Sequence, residues 1–297
     1  MRCPLCGTGN RPSRPVLAQE LDGGRLQSAC VCAQCGLWYL DDCYADRSAV
    51  YAAGYAAWGN PGAASDLVAE AKLTAFRQQL KFLVRPAGDA PAKLLDVGTG
   101  AGYLLDAASE LGWEVYGCDT SADAVRQAAV RHPGRIFHAP VASLPFAPGT
   151  FQAITLTDVL EHVSDPISLF RAIRRLLAPG GTLLVITPDV DAWSRRLLGR
   201  QWFQFKHEHV TYWNRKSLVR LAEATGFRVV QVRGNVKKFS FAYYRQYFRK
   251  YGFIWPIPQL FEAISCVMPS WFGRLSFANP VTGELIAVLE AAGESRR

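Results

Sequence analysis

The sequence predicts an α/β protein, a doubly wound sheet of seven strands preceded by a small cysteine-rich module. Three observations carry this. From Lys93 onward apolar strands alternate with helical patterns, the arrangement of a mostly parallel sheet covered on both faces. The first of those strands runs into a turn with three glycines, Gly98, Gly100 and Gly102. Six of the eight cysteines lie at or before Cys43. The chain has 297 residues, 49% of them apolar and 20% charged, enough for one large folded domain with an appendage rather than a disordered chain. Its Met-Arg-Cys-Pro start lacks an apolar stretch, and no apolar run reaches the roughly 18 residues of a spanning helix. A cytoplasmic protein is therefore expected.

Residues 1–44 read as a metal-stapled module. Cys3-Pro-Leu-Cys6-Gly and Cys32-Ala-Gln-Cys35-Gly are two C-x-x-C-G knuckles separated by 25 residues. Each knuckle turns two thiolates toward one point, and four thiolates make a closed tetrahedral site for structural Zn2+. The long gap is tolerable because loop-closure entropy grows slowly with length. Cys30 and Cys43 are spare, and Cys30 competes with Cys32 as a ligand candidate. A module of this size has too little core to fold without its metal.

Residues 45–92 form a connector in which Tyr51, Tyr55 and Trp58 alternate with Ala and Gly, followed by a helix from Ser65 that ends at Pro-Ala-Gly-Asp-Ala-Pro. Strands are then predicted at 93–98, 114–119, 135–139, 151–157 and 182–187, with helices at 101–111, 121–131 and 166–177. A helix at 215–225 leads through Gly226 into a strand at 227–233, and a last strand starts near Gly283. The stretch 234–282 is read as an insertion in the domain 93–297. Its apolar part, Gly252 to Phe277, is interrupted by Pro256, Pro258 and Pro269. A lid, a dimer contact, a shallow membrane-surface segment and a helix packed on the core all fit that pattern.

The turn after the first strand needs glycine so that the backbone can bend sharply and approach a ligand closely. Asp96 sits inside the strand end, and Asp119 closes the next strand, where a carboxylate can accept both hydroxyls of a ribose. A helix cap before Ser121 is the alternative use of Asp119. The spacing is G-x-G-x-G, whereas a nicotinamide dinucleotide site favours G-x-G-x-x-G.

With these motifs in this order, residues 93–190 resemble a class I methyltransferase dependent on S-adenosylmethionine (SAM), which carries a Rossmann-like fold. The resemblance implies that Asp96, Gly98, Thr99, Gly100 and Gly102 hold the methionine part of SAM, and that Asp119 and Thr120 hold the ribose. It places the adenine against Val141 and Ala142, with Pro140 standing where many relatives carry an acid. Thr157 and Asp158 come to the edge of the cofactor, facing the acceptor. Asp158, Glu161 and His162 share one helical side at i, i+3 and i+4. In the quinone O-methyltransferase branch a comparable cluster holds a divalent ion; the alternative is that Glu161 and His162 tie the helix start to a neighbouring loop.

The segment 202–227, which includes His-Glu-His-Val-Thr-Tyr-Trp, resembles a broad subfamily from surface-glycan, lipid and secondary-metabolite pathways. If the acceptor is a hydroxyl, a base must take its proton. His207 and His209 are the candidates, with Glu208 orienting them, and a structural role beside Tyr212 and Trp213 is the alternative for His209. The lack of an Asn-Pro-Pro-aromatic tetrapeptide after the fourth strand disfavours methylation of adenine or glutamine amino groups.

The net charge of +8 is unevenly spread: Trp193 to Lys250 holds 14 Lys and Arg against two acids. Arg195, Arg196, Arg200, Lys206, Arg215 and Lys216 can meet a phosphate or carboxylate. The leading expectation is transfer of a methyl group to a small-molecule, sugar or lipid-linked glycan acceptor, phosphorylated or not, on oxygen. The rivals are a zinc-ribbon RNA methyltransferase, for which the basic aromatic stretch would contact nucleic acid, and a non-catalytic binding module.

Overall fold

The computed structural model describes residues 2–9, 17–20, 26–44, 66–84, 91–206, 208–242, 245, 257–269 and 276–292. Tyr51, Tyr55, Trp58, the Ser65 cap and His207 lie outside the described residues.

Three strands begin the chain, β1 (Leu17–Glu20), β2 (Leu26–Val31) and β3 (Trp38–Leu40). Helix α1 (Asp66–Leu80) precedes the alternating part: β4 (Lys93–Val97), α2 (Tyr103–Glu110), β5 (Glu114–Asp119), α3 (Ala122–Arg131), β6 (Ile136–His138), β7 (Phe151–Thr157), α4 (Pro166–Leu176) and β8 (Leu177–Pro188). Then come α5 (Trp193–Leu198), β9 (Thr211–Tyr212), α6 (Arg215–Ala224), β10 (Phe227–Ser240), α7 (Ile257–Val267) and β11 (Ser276–Ala291). Among the described residues no helix is long and apolar enough to cross a membrane.

The large sheet has seven strands in the order β10-β11-β8-β7-β4-β5-β6. Only β11 runs antiparallel to its neighbours, so the expected doubly wound sheet is present. Its two faces follow from a period of two along each strand. Leu94, Ala153, Leu184, Ile186, Ile286 and Val288 pack with α2 and the end of α1. Their neighbours Leu95, Ile154, Leu183, Val185, Leu285 and Leu289 turn to the other face, toward α4 and α6. Local signals agree with the fold: Asp165 caps α4, and Asn214 with Ser217 forms a capping box for α6.

Two features differ from the sequence expectation. The β10–β11 ladder continues past residue 234, with Lys237 opposite Asn279 and Ser240 opposite Ser276. The strands therefore project beyond the sheet, past an irregularity at Val236 that leaves Pro280 to Gly283 out of the pairing. The polar run Asn235-Val-Lys-Lys hides the continuation, because it lacks an apolar alternation. The second difference concerns the cysteine-rich module, which forms a four-stranded sheet β1-β2-β3-β9 whose last strand comes from the far half of the chain. Trp38 pairs with Tyr212 and Tyr39 with Thr211. Cys3, Leu37, Tyr39, Tyr212, Trp213 and Leu218 thus belong to one continuous apolar core with the large sheet.

Trp213 is fully buried in that shared core, and its Nε1 donates to Thr211 Oγ1 at 3.0 Å. Trp213→Ala is expected to lower stability by about 3–5 kcal/mol, read from urea unfolding. A loss below about 1 kcal/mol would show that the core does not depend on this ring.

Candidate functional site

The carboxyl ends of β4, β5 and β7 meet because these strands are adjacent and nearly level: Val97 stands opposite Cys118 on one side and Leu156 on the other. Ligands of doubly wound sheets sit at this end. Here the chain places Asp96, the Gly98–Gly102 turn, Asp119, Thr157 and Asp158.

The turn is held by main-chain bonds. Gly98 and Thr99 N–H donate to Cys118 O at 2.8 and 3.1 Å, and Gly100 N–H donates to Asp119 Oδ2 at 3.0 Å. Two of its glycines have separate steric reasons. Gly98 has φ +76°, and an added Cβ would stand 2.3 Å from Val159 Cγ2. Gly100 has φ +52° with nothing within 4 Å of its would-be Cβ, so its bare backbone faces open space. Asp119 Oδ1 also accepts from Ser121 N at 2.8 Å. Each carboxylate oxygen keeps a second lone pair for a ligand hydroxyl. The cap of α3 is the Ser121 side chain, which accepts from Ala124 N. Thr120 is exposed beside Asp119, and its carbonyl meets His138 Nε2 at 3.1 Å. After β6 a single 3-10 turn, Val141–Ser143, buries Val141 and exposes Ala142. Phe146 anchors this turn by packing edge-on against Phe137, Tyr116 and Phe151.

Asp96 is 3% exposed, and Thr155 Oγ1 donates to its Oδ1 at 2.6 Å. Burial pushes its carboxyl up to about 7 against the pull of the Thr155 and Thr99 hydroxyls, with the nearby Asp119 charge adding to the rise. A cation placed beside Asp96 would reverse that shift.

The stretch after β7 departs from the expected helical side. Asp158 has φ +54°, the sole non-glycine residue at positive φ among the described residues, and it is exposed. Such strain persists where the surroundings over-determine it and concentrates at functional sites. A short 3-10 turn, Leu160–His162, follows, with Val159 outside helical geometry, so the i, i+3, i+4 relation expected for Asp158, Glu161 and His162 does not form. Glu161 is buried and accepts from Thr187 Oγ1 at 2.9 Å through Oε2. Its Oε1 lies 4.0 Å from His209 Nε2. Burial first, then the charge of Asp158, pushes Glu161 up to about 8. His209 is 2% exposed, and its ring meets those of His162 and Tyr212. Burial, followed by the repulsion of His162 and Lys206, holds it well below the usual histidine range, hence neutral. Glu208, proposed to orient the histidines, offers its main-chain carbonyl to His162 Nδ1 at 2.9 Å. One Oε of Glu161 and one nitrogen each of His162 and His209 lie within 4.8 Å of one another.

The sulfur atoms of Cys3, Cys6, Cys32 and Cys35 also lie within 4.8 Å of one another. Cys3–Cys35 and Cys6–Cys32 are each separated by 3.5 Å. A tetrahedral zinc with bonds of about 2.3 Å sets sulfurs about 3.8 Å apart, so the donor set fits such an ion. The two knuckles are built alike: Gly7 N donates to Cys3 O and Gly36 N to Cys32 O, both glycines at positive φ. Cys30 and Cys43 are buried outside the group.

Sequence reasoning missed Thr155, Thr187 and Glu284. Thr155 and Thr187 were visible only as hydroxyls inside apolar strands, and a neighbouring buried acid is what gives them meaning. Glu284 is buried at the start of the in-sheet part of β11, where it accepts from Asn235 Nδ2 at 2.8 Å and Lys237 Nζ at 2.7 Å.

A wound sheet whose glycine turn and paired carboxylates open at its carboxyl end defines a nucleotide-type cofactor domain. A family model described as a methyltransferase domain matches residues 69–232, and the chain belongs to that family. Curated relatives named ubiquinone biosynthesis O-methyltransferase are similar over part of their length. The protein from Cupriavidus pinatubonensis is 29% identical over 161 residues, 50% of this chain and 65% of its own. That from Xanthomonas campestris is 36% identical over 103 residues, 32% of this chain and 43% of its own. Among solved structures, Burkholderia thailandensis 1,6-didemethyltoxoflavin-N1-methyltransferase, with 1,6-didemethyltoxoflavin and S-adenosylhomocysteine bound, superposes with a TM-score of 0.52. It is 16% identical and covers 93% of this chain and 100% of its own, a likeness of fold.

The raised carboxyls give stability a pH dependence. In the fold Asp96 keeps its proton up to about pH 7 and Glu161 to about 8, whereas their ordinary values are 3.8 and 4.5. Folding therefore takes up protons between those limits. The contribution is fully present below pH 3.8 and is lost as pH rises through about 7 to 8. Relative to the wild type, Asp96→Asn should make the urea-unfolding stability of the ligand-free protein fall less between pH 5 and 8. An equal slope in the variant would contradict the assignment.

Proposed function

We propose that the protein transfers a methyl group from SAM to a hydroxyl of a small-molecule acceptor. The observation that carries this reading is the turn at Gly100: its N–H fixes Asp119 while its bare α-carbon leaves the approach open. In this reading Asp119 and Thr120 hold the ribose, Val141 and Ala142 flank the adenine, and Asp96 with Gly98, Thr99, Gly100 and Gly102 receives the methionine part. The SAM sulfonium supplies an already electrophilic methyl group, so the protein's main task is alignment. Thr157 and the strained Asp158 face the acceptor. His209, neutral and beside Glu161, is in the protonation state that can accept a proton. The name of the curated relatives favours oxygen as the atom methylated and a small molecule as the acceptor. A sugar or lipid-linked glycan is the narrower acceptor class that the 202–227 segment suggests. Two of the basic side chains that could have served an RNA partner are engaged in the fold. Arg195 bonds Val190 O at 2.7 Å over the Trp38 ring, and Arg215 bonds Val232 O at 2.7 Å.

The cysteine quartet is proposed to hold a structural zinc ion. All four protein positions are taken by sulfur, so the ion would have no open position for a substrate. Its work would be to fix the two knuckles, and through them β2 and β3.

Calorimetry with SAM should give one site on the full chain, and Asp119→Ala should weaken it at least about tenfold through loss of the charged acceptor. Fractionated cell extract supplied with labelled SAM should yield a methyl ether, identified by mass analysis. With that acceptor, His207→Ala combined with His209→Ala should lower kcat by about 10² or more while the SAM Kd stays unchanged. Near-normal turnover would reject the histidines as the proton acceptor, and absence of SAM binding in the wild type would reject the function.

A further inference from the structure

Between the C-terminal half of α1 and the outer half of β10 lies a cavity of about 400 Å³, lined by Gln79, Lys81, Phe82, Arg233, Asn235 and Lys237 among others. That volume is within the usual range of small-ligand sites. Gln79 is 3% exposed, yet its Nε2 and Oε1 are both buried without a hydrogen-bond partner among the described residues. Buried amides are nearly always satisfied, so Gln79 is an exception that an entering ligand or an ordered water would resolve. The surroundings give such a ligand its sign. Among the described residues three cations line the cavity and no acid does. The nearby Glu284 is spent on Asn235 and Lys237, and Lys81 and Arg233 have no carboxylate partner among the described residues. The Arg233 guanidinium carbon stands 4.3 Å from the Phe82 ring centroid, a cation–π contact that holds the charge beside the cavity.

We propose that this cleft binds the phosphate or carboxylate group of a small molecule, with Gln79 Nε2 donating to it and Lys81 and Arg233 supplying the charge. The cleft lies near the proposed acceptor side. Gly234 and Asn235 pair with Leu285 and Glu284, which in turn pair with Thr187 and Pro188 at the carboxyl end of β8. Lys72 of α1 is within electrostatic reach of both Asp158 and Lys237. The anion can therefore belong to the tail of the molecule that is methylated or to a separate effector.

Inorganic pyrophosphate is the probe, titrated at constant ionic strength into the full chain carrying ¹⁵N-glutamine. The Gln79 side-chain amide signals, assigned by their absence in Gln79→Leu, should move saturably. Lys81→Ala combined with Arg233→Ala should weaken that binding at least tenfold, with circular dichroism and SAM affinity unchanged. No saturable movement, as for a cavity that holds only water, overturns the proposal, and so does equal affinity in the double variant. A second arm separates the sources. If the double variant raises the acceptor KM and pyrophosphate competes with the acceptor, the anion is the acceptor's own. If pyrophosphate binds while KM is untouched, it is an effector. The binding arm does not rest on methyl transfer, so a wild type that binds pyrophosphate but not SAM would sink the proposed function and leave this site standing.

Discussion

Val210 ties the molecule together with two main-chain hydrogen bonds. Its N–H donates to Glu161 O at 2.8 Å, and its carbonyl accepts from Leu40 N at 2.9 Å. One residue thus links the turn after β7, the segment that carries His209, and the strand that follows the second cysteine knuckle. Val210 is 1% exposed, and buried main-chain groups that lose their partners are costly to leave unmade. Tyr39, Tyr212 and Trp213 pack around the same bridge, each at 1% exposure or less. The cysteine-rich module is for this reason a wall of the larger domain, and its sheet cannot be completed without β9.

The bridge also accounts for the electrostatics at that end. It holds Glu161 and His209 out of water, which shifts each toward its neutral form. Asp96 and Glu284 are buried at the same end of the sheet, one satisfied by Thr155 and the other by Asn235 and Lys237. A domain that buries three carboxyls beside a strained Asp158 gives up stability locally. The apolar interior of the sheet, fully packed from Leu94 to Leu289, offsets that loss.

Much of this was legible in the sequence where a period or a spacing carried it. The large sheet followed from apolar runs separated by helical repeats, and the glycine turn from the need for positive φ at Gly98, Gly100 and Gly102. The knuckle spacing brought out the four cysteines that the structure gathers. What stayed hidden depends on partners distant in sequence. A two-residue strand such as Thr211–Tyr212 has no period to detect, so its union with β3 was invisible. Asp158 looked like the start of a helix with Glu161 and His162, but Val159 does not continue a helix and the turn begins only at Leu160. Gln79 sat in an unremarkable helix, and only the opposing β10 makes its amide an exception.

Through Val210 the cysteine module and the turn after β7 form one structural unit. Hydrogen exchange of the full chain, compared with Cys32→Ser, tests it most directly. The amides of Leu40 and Val210 should lose protection together with the module, while Leu94 and Leu95 in β4 keep theirs. Unchanged protection at Val210, with the module opened, would show that the turn after β7 stands without it and would overturn this link.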